Sequence, residues 1–178
     1  MAGTWIAKIS EVSWVQNAHH LSLENPTGSG KIVKVYRVGV YNDSPQRVTG
    51  ISTQIRLDKL ITLTTVSGGT AVIPQPFKTN NVALDTVTAY TKRTYTTVGS
   101  TLTLRKLFYS NDEPTHIASA GSGPDELETM WSAMIWNSSV RNTAVEPIVL
   151  RENQALTITE LTASPVNNAS FWMEFTVE

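Results

Sequence analysis

Apolar residues in this chain recur mostly at every second position, which is the period of a β-strand. Near the C-terminal end, Phe171, Met173 and Phe175 fall on one side of an extended chain, and residues 155–161 show the same alternation. Such a pattern is typical of strands that bury one face and expose the other. It also predicts that residues 171–177 form a strand that fixes the C-terminal end in a sheet.

Similar apolar runs occur along the whole chain, each bounded by residues that favour turns, such as Gly, Pro, Asn and Asp. Strands are predicted at residues 31–41, 47–57, 70–73, 101–109, 130–136, 145–150, 155–161 and 171–177, with a mixed segment at 5–15. Residues 60–66 either continue the strand at 47–57 or pair with it. One short helix is predicted at residues 124–128, because Pro124 suits a first helical turn and the acidic residues after it favour the helix dipole.

These elements predict the fold class and the domain organisation. Eight or more strands with little helix, in 178 residues, fit one all-β domain built as an antiparallel two-sheet sandwich, with the jelly roll as the expected form. Residues 16–178 are assigned to that sandwich. Residues 1–15 have two interpretations, a first strand of the sandwich or an N-terminal arm that takes part in assembly.

The composition excludes several classes of partner. The chain has no cysteine, so disulfides and thiolate metal sites are excluded. Its net charge is -1 and its pI is about 6.3, so no basic excess is present to bind nucleic acid or an anionic membrane. We also expect no signal peptide and no membrane span, because no apolar run approaches about 20 residues.

Charged residues make up 16% of the chain, below the roughly 25% of an ordinary soluble domain. Thr, Ser and Asn take their place. A surface of short uncharged polar groups loses little side-chain entropy and little solvation when another protein covers it. The composition therefore fits either an interface-rich surface or the threonine content that is usual in β-proteins.

Two motifs at the start of the chain suggest chemistry but lack the context for it. Residues 28–31 (Gly-Ser-Gly-Lys) are similar to the end of a phosphate-binding loop, but Asn25 stands where that motif has its first Gly. A strand is predicted after the lysine, whereas phosphate binding needs a helix N-terminus there. His19 and His20 are adjacent on a predicted strand, so their rings face opposite sides and cannot chelate one ion together.

The candidate metal and catalytic motifs further along the chain are no stronger. We predict no catalytic residue, no cofactor and no metal. A zinc-type site could be imagined from His116, Asp112 and one of the paired histidines, but exposed or hydrogen-bonded histidines are the simpler interpretation. Residues 119–123 do not match the nucleophile motif of hydrolases. Glu126 and Glu128 lie on a short polar stretch that gives no sign of a cleft.

The five tryptophans are the residues most indicative of function. By strand parity Trp5, Trp14, Trp131, Trp136 and Trp172 cannot all lie in the core. Trp172 falls on the outward face of the last strand, and outward tryptophans are typical of sugar platforms and protein interfaces. We predict interface positions at Trp5, Trp14, Trp131 and Trp172. Cover by a loop of the same chain is the alternative.

Two parts of the chain resemble a known family. Residues 145–158, which run Val-Glu-Pro-Ile-Val-Leu-Arg-Glu-Asn-Gln-Ala-Leu-Thr-Ile, and the final strand at 171–175 resemble the closing strands of jelly-roll structural proteins of tailed bacteriophages. Residues 23–36 resemble an early strand pair of such proteins. The resemblance implies a virion component, a capsid cement or decoration protein that is often trimeric, and it carries no catalytic residues to transfer.

The expected function follows from this resemblance. The chain is expected to bind the major capsid protein, to stabilise the shell from its outer surface, and to be made in the host cytoplasm. A homotrimer is also expected, because residues 31–41 carry apolar groups on both faces and Trp172 adds outward aromatic area. The alternatives are a carbohydrate-binding module, a receptor-binding fibre or tail jelly roll, and a metal-dependent β-sandwich enzyme.

Overall fold

A computed structural model describes residues 3–13, 15–42, 51–78, 84, 86–111, 132–138, 145–161 and 168–178. Twelve β-strands account for the regular structure of these residues. The helix predicted at residues 124–128 lies outside them. The strands are β1 (Thr4–Ser13), β2 (His19–Asn25), β3 (Val33–Asn42), β4 (Ile51–Ser67), β5 (Thr70–Val72), β6 (Gln75–Pro76), β7 (Thr88–Thr91), β8 (Thr94–Asn111), β9 (Ser132–Asn137), β10 (Ile148–Leu150), β11 (Gln154–Glu160) and β12 (Asn168–Val177).

The strands form two antiparallel sheets that pack face to face. The first sheet has the order β10-β3-β12-β1-β6, with β9 also paired to β3, and the second has the order β5-β7-β2-β11-β4-β8. The pairing is nested, because β1 pairs with β12, β2 with β11, β3 with β10 and β4 with β8. The predicted all-β antiparallel sandwich is confirmed.

The core lies between the sheets and is formed by the alternating residues that the sequence pattern predicted. Phe171, Met173 and Phe175 of β12 have no exposed surface. Facing them from the second sheet are Leu21, Leu23, Leu57, Leu156 and Ile158, which are also fully buried. Close packing of this kind is the dominant favourable contribution to the stability of a sandwich.

A β-bulge in β3 corrects the expectation that this strand is apolar on both faces. The register between β3 and β12 slips by one residue at Tyr36, because Glu174 pairs with Arg37 while Phe175 pairs with Val35. An extra residue reverses the alternation of the residues that follow it. All four valines of the strand therefore face the core, with 1% exposure or less: Val33, Val35, Val38 and Val40.

Residues Thr4–Ser13 form strand β1 near the N-terminal end. Strand β1 lies inside the first sheet, between β12 and β6. Its Trp5 pairs with Phe175 and is 5% exposed, so this indole belongs to the core. Of the two interpretations of residues 1–15, the first strand is the one that the structure describes for Thr4–Ser13.

Strands β4 and β8 form a two-stranded ribbon that is longer than the ladder between β4 and β11. They pair from Ile51 with Asn111 to Ser67 with Thr94, whereas β11 pairs with only seven residues of β4, from Ile55 to Ile61. Of the two interpretations of residues 60–66, continuation of the preceding strand is confirmed, because β4 runs unbroken from Ile51 to Ser67. The alternation of residues 101–109 predicts that Leu102 points inward, but Leu102 is 52% exposed because it lies on β8, at the edge of the sheet.

Candidate functional site

The outer face of the first sheet carries a row of side chains from four adjacent strands. Lys8 of β1 pairs with Trp172 of β12, Trp172 with Gly39 of β3, and Gly39 with Met134 of β9. Directly paired residues of an antiparallel sheet project from the same face. This row, together with the neighbouring pair Arg37 and Glu174, is called the Trp172 face.

The indole of Trp172 lies across Gly39. A Cβ atom built on Gly39 would overlap Nε1, Cε2 and Cζ2 of the indole. Only glycine allows the ring to lie this close to the neighbouring strand, an arrangement in which an aromatic side chain covers the gap left by a strand glycine. Trp172 is half-buried as a result, and the ring forms part of the outer surface of the sheet.

Charged and apolar groups border the indole. Arg37 Nη1 lies 3.2 Å from Glu174 Oε2, and the two residues are cross-strand partners next to the tryptophan row. On β9, Met134 is 47% exposed, and Lys8 is exposed on β1. Aromatic residues, Met and Arg are the residue types enriched at protein–protein interfaces. The Trp172 face can therefore offer apolar contact and charge-assisted hydrogen bonds to a partner surface.

Of the four predicted interface tryptophans, the structure describes Trp5 and Trp172, which lie on opposite faces of the first sheet. Trp172 is outward, as predicted, and Trp5 is buried. Trp14 and Trp131 lie outside the described residues, so their interface assignment stays a prediction. Trp136, which was not among the predicted interface positions, is half-buried and packs against the core.

A second polar cluster lies on the side of the second sheet that faces away from the core, and the sequence did not predict it. Glu24 of β2 accepts hydrogen bonds from Arg93 Nε (2.8 Å) and from the Tyr95 hydroxyl (2.7 Å). The guanidinium of Arg93 also donates to the Gly68 carbonyl and lies 3.9 Å from the centre of the Tyr90 ring. Burial, and then the negative charge of Glu24, raise the pKa of Tyr95, so its phenol stays protonated.

Asp58 of β4 lies on the same side of the second sheet, the side that faces away from the core. It is fully buried, accepts a hydrogen bond from the Thr103 hydroxyl at 2.8 Å, and pairs with Arg56. Nearby, His19 lies 2.9 Å from the Thr159 hydroxyl and edge-on to Tyr95, and burial lowers its pKa. The Asp58 contacts lie within the β4–β8 ribbon, whereas the contact between His19 and Tyr95 joins β8 to β2. In the sequence the same residues are indistinguishable from the solvent-facing half of an alternating strand.

The motifs that suggested chemistry have structural roles in the described residues. The turn at residues 28–30 precedes a strand, as predicted, and its Gly28 and Gly30 amides donate to the carboxylate of Glu152 at 3.2 and 2.7 Å. No group of three or more His, Asp or Glu among the described residues could hold a metal ion. His116, Asp112, Glu126, Glu128 and residues 119–123 lie outside that part of the chain.

The described residues contain no helix with the length and apolarity that crossing a membrane requires. Comparison with protein-family models, with curated proteins and with solved structures finds no match for this chain. The Trp172 face is therefore the candidate site on the strength of its own geometry.

Proposed function

We propose that this chain is a structural protein of a tailed-bacteriophage particle, a cement or decoration protein that docks on the major capsid protein. The observation that carries the proposal is the Trp172 face, a sheet surface with an aromatic centre and an exposed methionine beside it. The resemblance of residues 145–158 and 171–175 to jelly-roll phage proteins supports the same class.

The chemistry of the face suits a protein partner on the outer surface of a capsid. Interface residues that contribute most to binding are enriched in Trp and Arg, and Trp172 and Arg37 are neighbours here. The low charge of the chain, 16% of its residues, reduces the desolvation cost when a shell surface covers the sheet. In this proposal the partner is the major capsid protein, and neither nucleic acid nor a membrane takes part.

Replacement of Met134 by lysine tests the proposal. Met134 is 47% exposed, so Met134→Lys leaves the fold intact but places an ammonium group where the docked surface has to be desolvated. Val15→Lys is the matched control, because Val15 is a 43% exposed apolar residue away from this face. We expect wild type and Val15→Lys to co-sediment with particles that lack the protein, and Met134→Lys to bind at least about tenfold more weakly, or about 1.4 kcal/mol.

Two results would contradict the proposal. Absence of the chain from purified particles, measured by mass spectrometry, would remove the virion assignment. Equal co-sedimentation of Met134→Lys and Val15→Lys would remove the Trp172 face as the docking surface. Binding on a glycan array that is lost in Trp172→Ala would instead support the carbohydrate-binding alternative, since a flat indole is also a platform for a sugar ring.

A further inference from the structure

The edge strands of this molecule differ sharply in length. An edge strand presents unpaired backbone N–H and C=O groups, and natural proteins limit this hazard by keeping edge strands short. Within the described residues, β5 has three residues, β6 two, β9 six and β10 three. Strand β8 has 18 residues and, among the described strands, pairs only with β4. It is therefore the longest open edge in the described part of the fold, where β1 is also open beyond its two-residue pairing with β6.

The first half of β8 also lacks the side chains that usually protect an edge. Residues 94–104 contain no charged residue and no proline, and five of the eleven are threonine. Between two register shifts, the ladder with β4 is regular from Val98 to Thr103. Ser100 and Thr101 are exposed in this stretch, and Leu102 is 52% exposed. A regular, uncharged edge of this kind favours pairing with another strand.

We infer that two copies of this chain pair antiparallel through β8, around a twofold axis at Ser100, and join their second sheets into one. A second copy is the partner that fits, because its own β8 matches the length and the lack of charge. With Ser100 opposite itself, Val98 faces Leu102 and Thr97 faces Thr103. Arg105 then lies opposite Tyr95, so no like charges meet across the interface.

This contact is independent of the proposed capsid docking, because β8 belongs to the second sheet and the Trp172 face to the first. One of the two reasons for expecting a homotrimer does not hold in the structure. That expectation relied on an apolar strand at residues 31–41, and the bulge in β3 turns its valines into the core. A twofold edge pairing closes on itself and does not polymerise.

A single introduced cysteine tests the register. The chain has no cysteine, so Ser100→Cys places one thiol on the proposed twofold axis. Directly opposed residues of an antiparallel pair have Cα atoms about 4.5–5.5 Å apart, which a disulfide can bridge. We expect mild oxidation to give a covalent dimer. The control is Thr65→Cys, an exposed residue of β4 that pairs with Thr97 and so lies across the ribbon from the open side of β8, and it is expected to stay uncrosslinked.

Light scattering with Ser100→Lys tests the pairing itself. Two ammonium groups would face each other at the axis, and like charges directly opposite are destabilising. We expect the wild type and Thr65→Lys to have twice the chain mass of 19.5 kDa and Ser100→Lys to have the single-chain mass. A monomeric wild type at all concentrations would overturn the inference, and so would a trimer in which Ser100→Cys stays uncrosslinked. Particle binding by monomeric Ser100→Lys would leave the docking proposal intact.

Discussion

At the scale of single residues, the contact between Trp172 and Gly39 determines the shape of the outer surface of the first sheet. The outward direction of Trp172 was predictable, because Phe171 and Met173 on either side of it alternate inward. Its contact with Gly39 was not, since the two residues are 133 positions apart in the sequence (172 − 39) and become neighbours only through the β3–β12 register. The apolar alternation determines which side chains share a face, but a shift by two residues preserves it, so the alternation does not select Gly39 as the partner.

Gly39→Ala is expected to displace the indole, because the added methyl group would occupy the position of the ring. Overpacking of this kind typically costs about 1–3 kcal/mol. Urea unfolding of a double-mutant cycle measures the effect. In a Trp172→Ala background the same Gly39→Ala change should cost much less, because the ring that it displaces is absent. Equal costs in the two backgrounds would show that the ring does not restrict residue 39.

At the scale of elements, the sequence predicted most strands but not where their alternation reverses or where they end. The valines of β3 suggested two apolar faces, and only the bulge at Tyr36 brings them to one side. The threonine-rich residues 94–100 have no clear alternation, yet they extend β8 to Thr94 because β4 pairs with them. Buried polar partners, above all Glu24 with Arg93 and Tyr95, then hold this end of the ribbon on β2.

Glu24→Gln is expected to loosen the start of β8. The side chains of Glu24 and Arg93 are only 8% and 17% exposed, and removal of one partner of a buried ion pair typically costs about 3–5 kcal/mol. We expect the free energy of unfolding to fall by roughly 3 kcal/mol and amide exchange to accelerate over residues 94–100.

The matched control is Glu178→Gln, which removes the exposed ion pair with Lys34 and should leave both measurements unchanged, since surface pairs contribute little. Unchanged exchange at residues 94–100 in Glu24→Gln would show that this ion pair does not hold the ribbon.

At the scale of the whole molecule, the nested pairing of first with last strands explains why both sheets depend on contacts distant in sequence. Fold class was predictable, because alternation and turn residues are local signals. The partition of strands between the sheets was not, since it depends on which strands pair. His20 connects the two sheets. It belongs to β2 of the second sheet, and its ring stacks on Phe171 of the first sheet, with ring centroids 5.2 Å apart.

This position predicts how the stability of the sandwich depends on pH. Burial, and then the charge of Lys92, lower the pKa of His20 from 6.5 to about 4. The unfolded chain therefore binds a proton at a higher pH than the folded chain does. The stabilisation from the neutral ring is fully present above pH 6.5 and is lost as the pH falls through about 4. At about 1.4 kcal/mol per pH unit, the loss amounts to about 3 kcal/mol.

Urea unfolding between neutral pH and pH about 4 measures this loss, with His20→Phe as the comparison. The phenyl ring keeps an aromatic group against Phe171 but has no titrating nitrogen, so the variant should lack the His20 part of the decline. The pH dependence of the free energy of unfolding that remains in His20→Phe comes from the other titrating groups, which are the same in both proteins. Parallel curves for the two proteins would mean that His20 is not held neutral between the sheets.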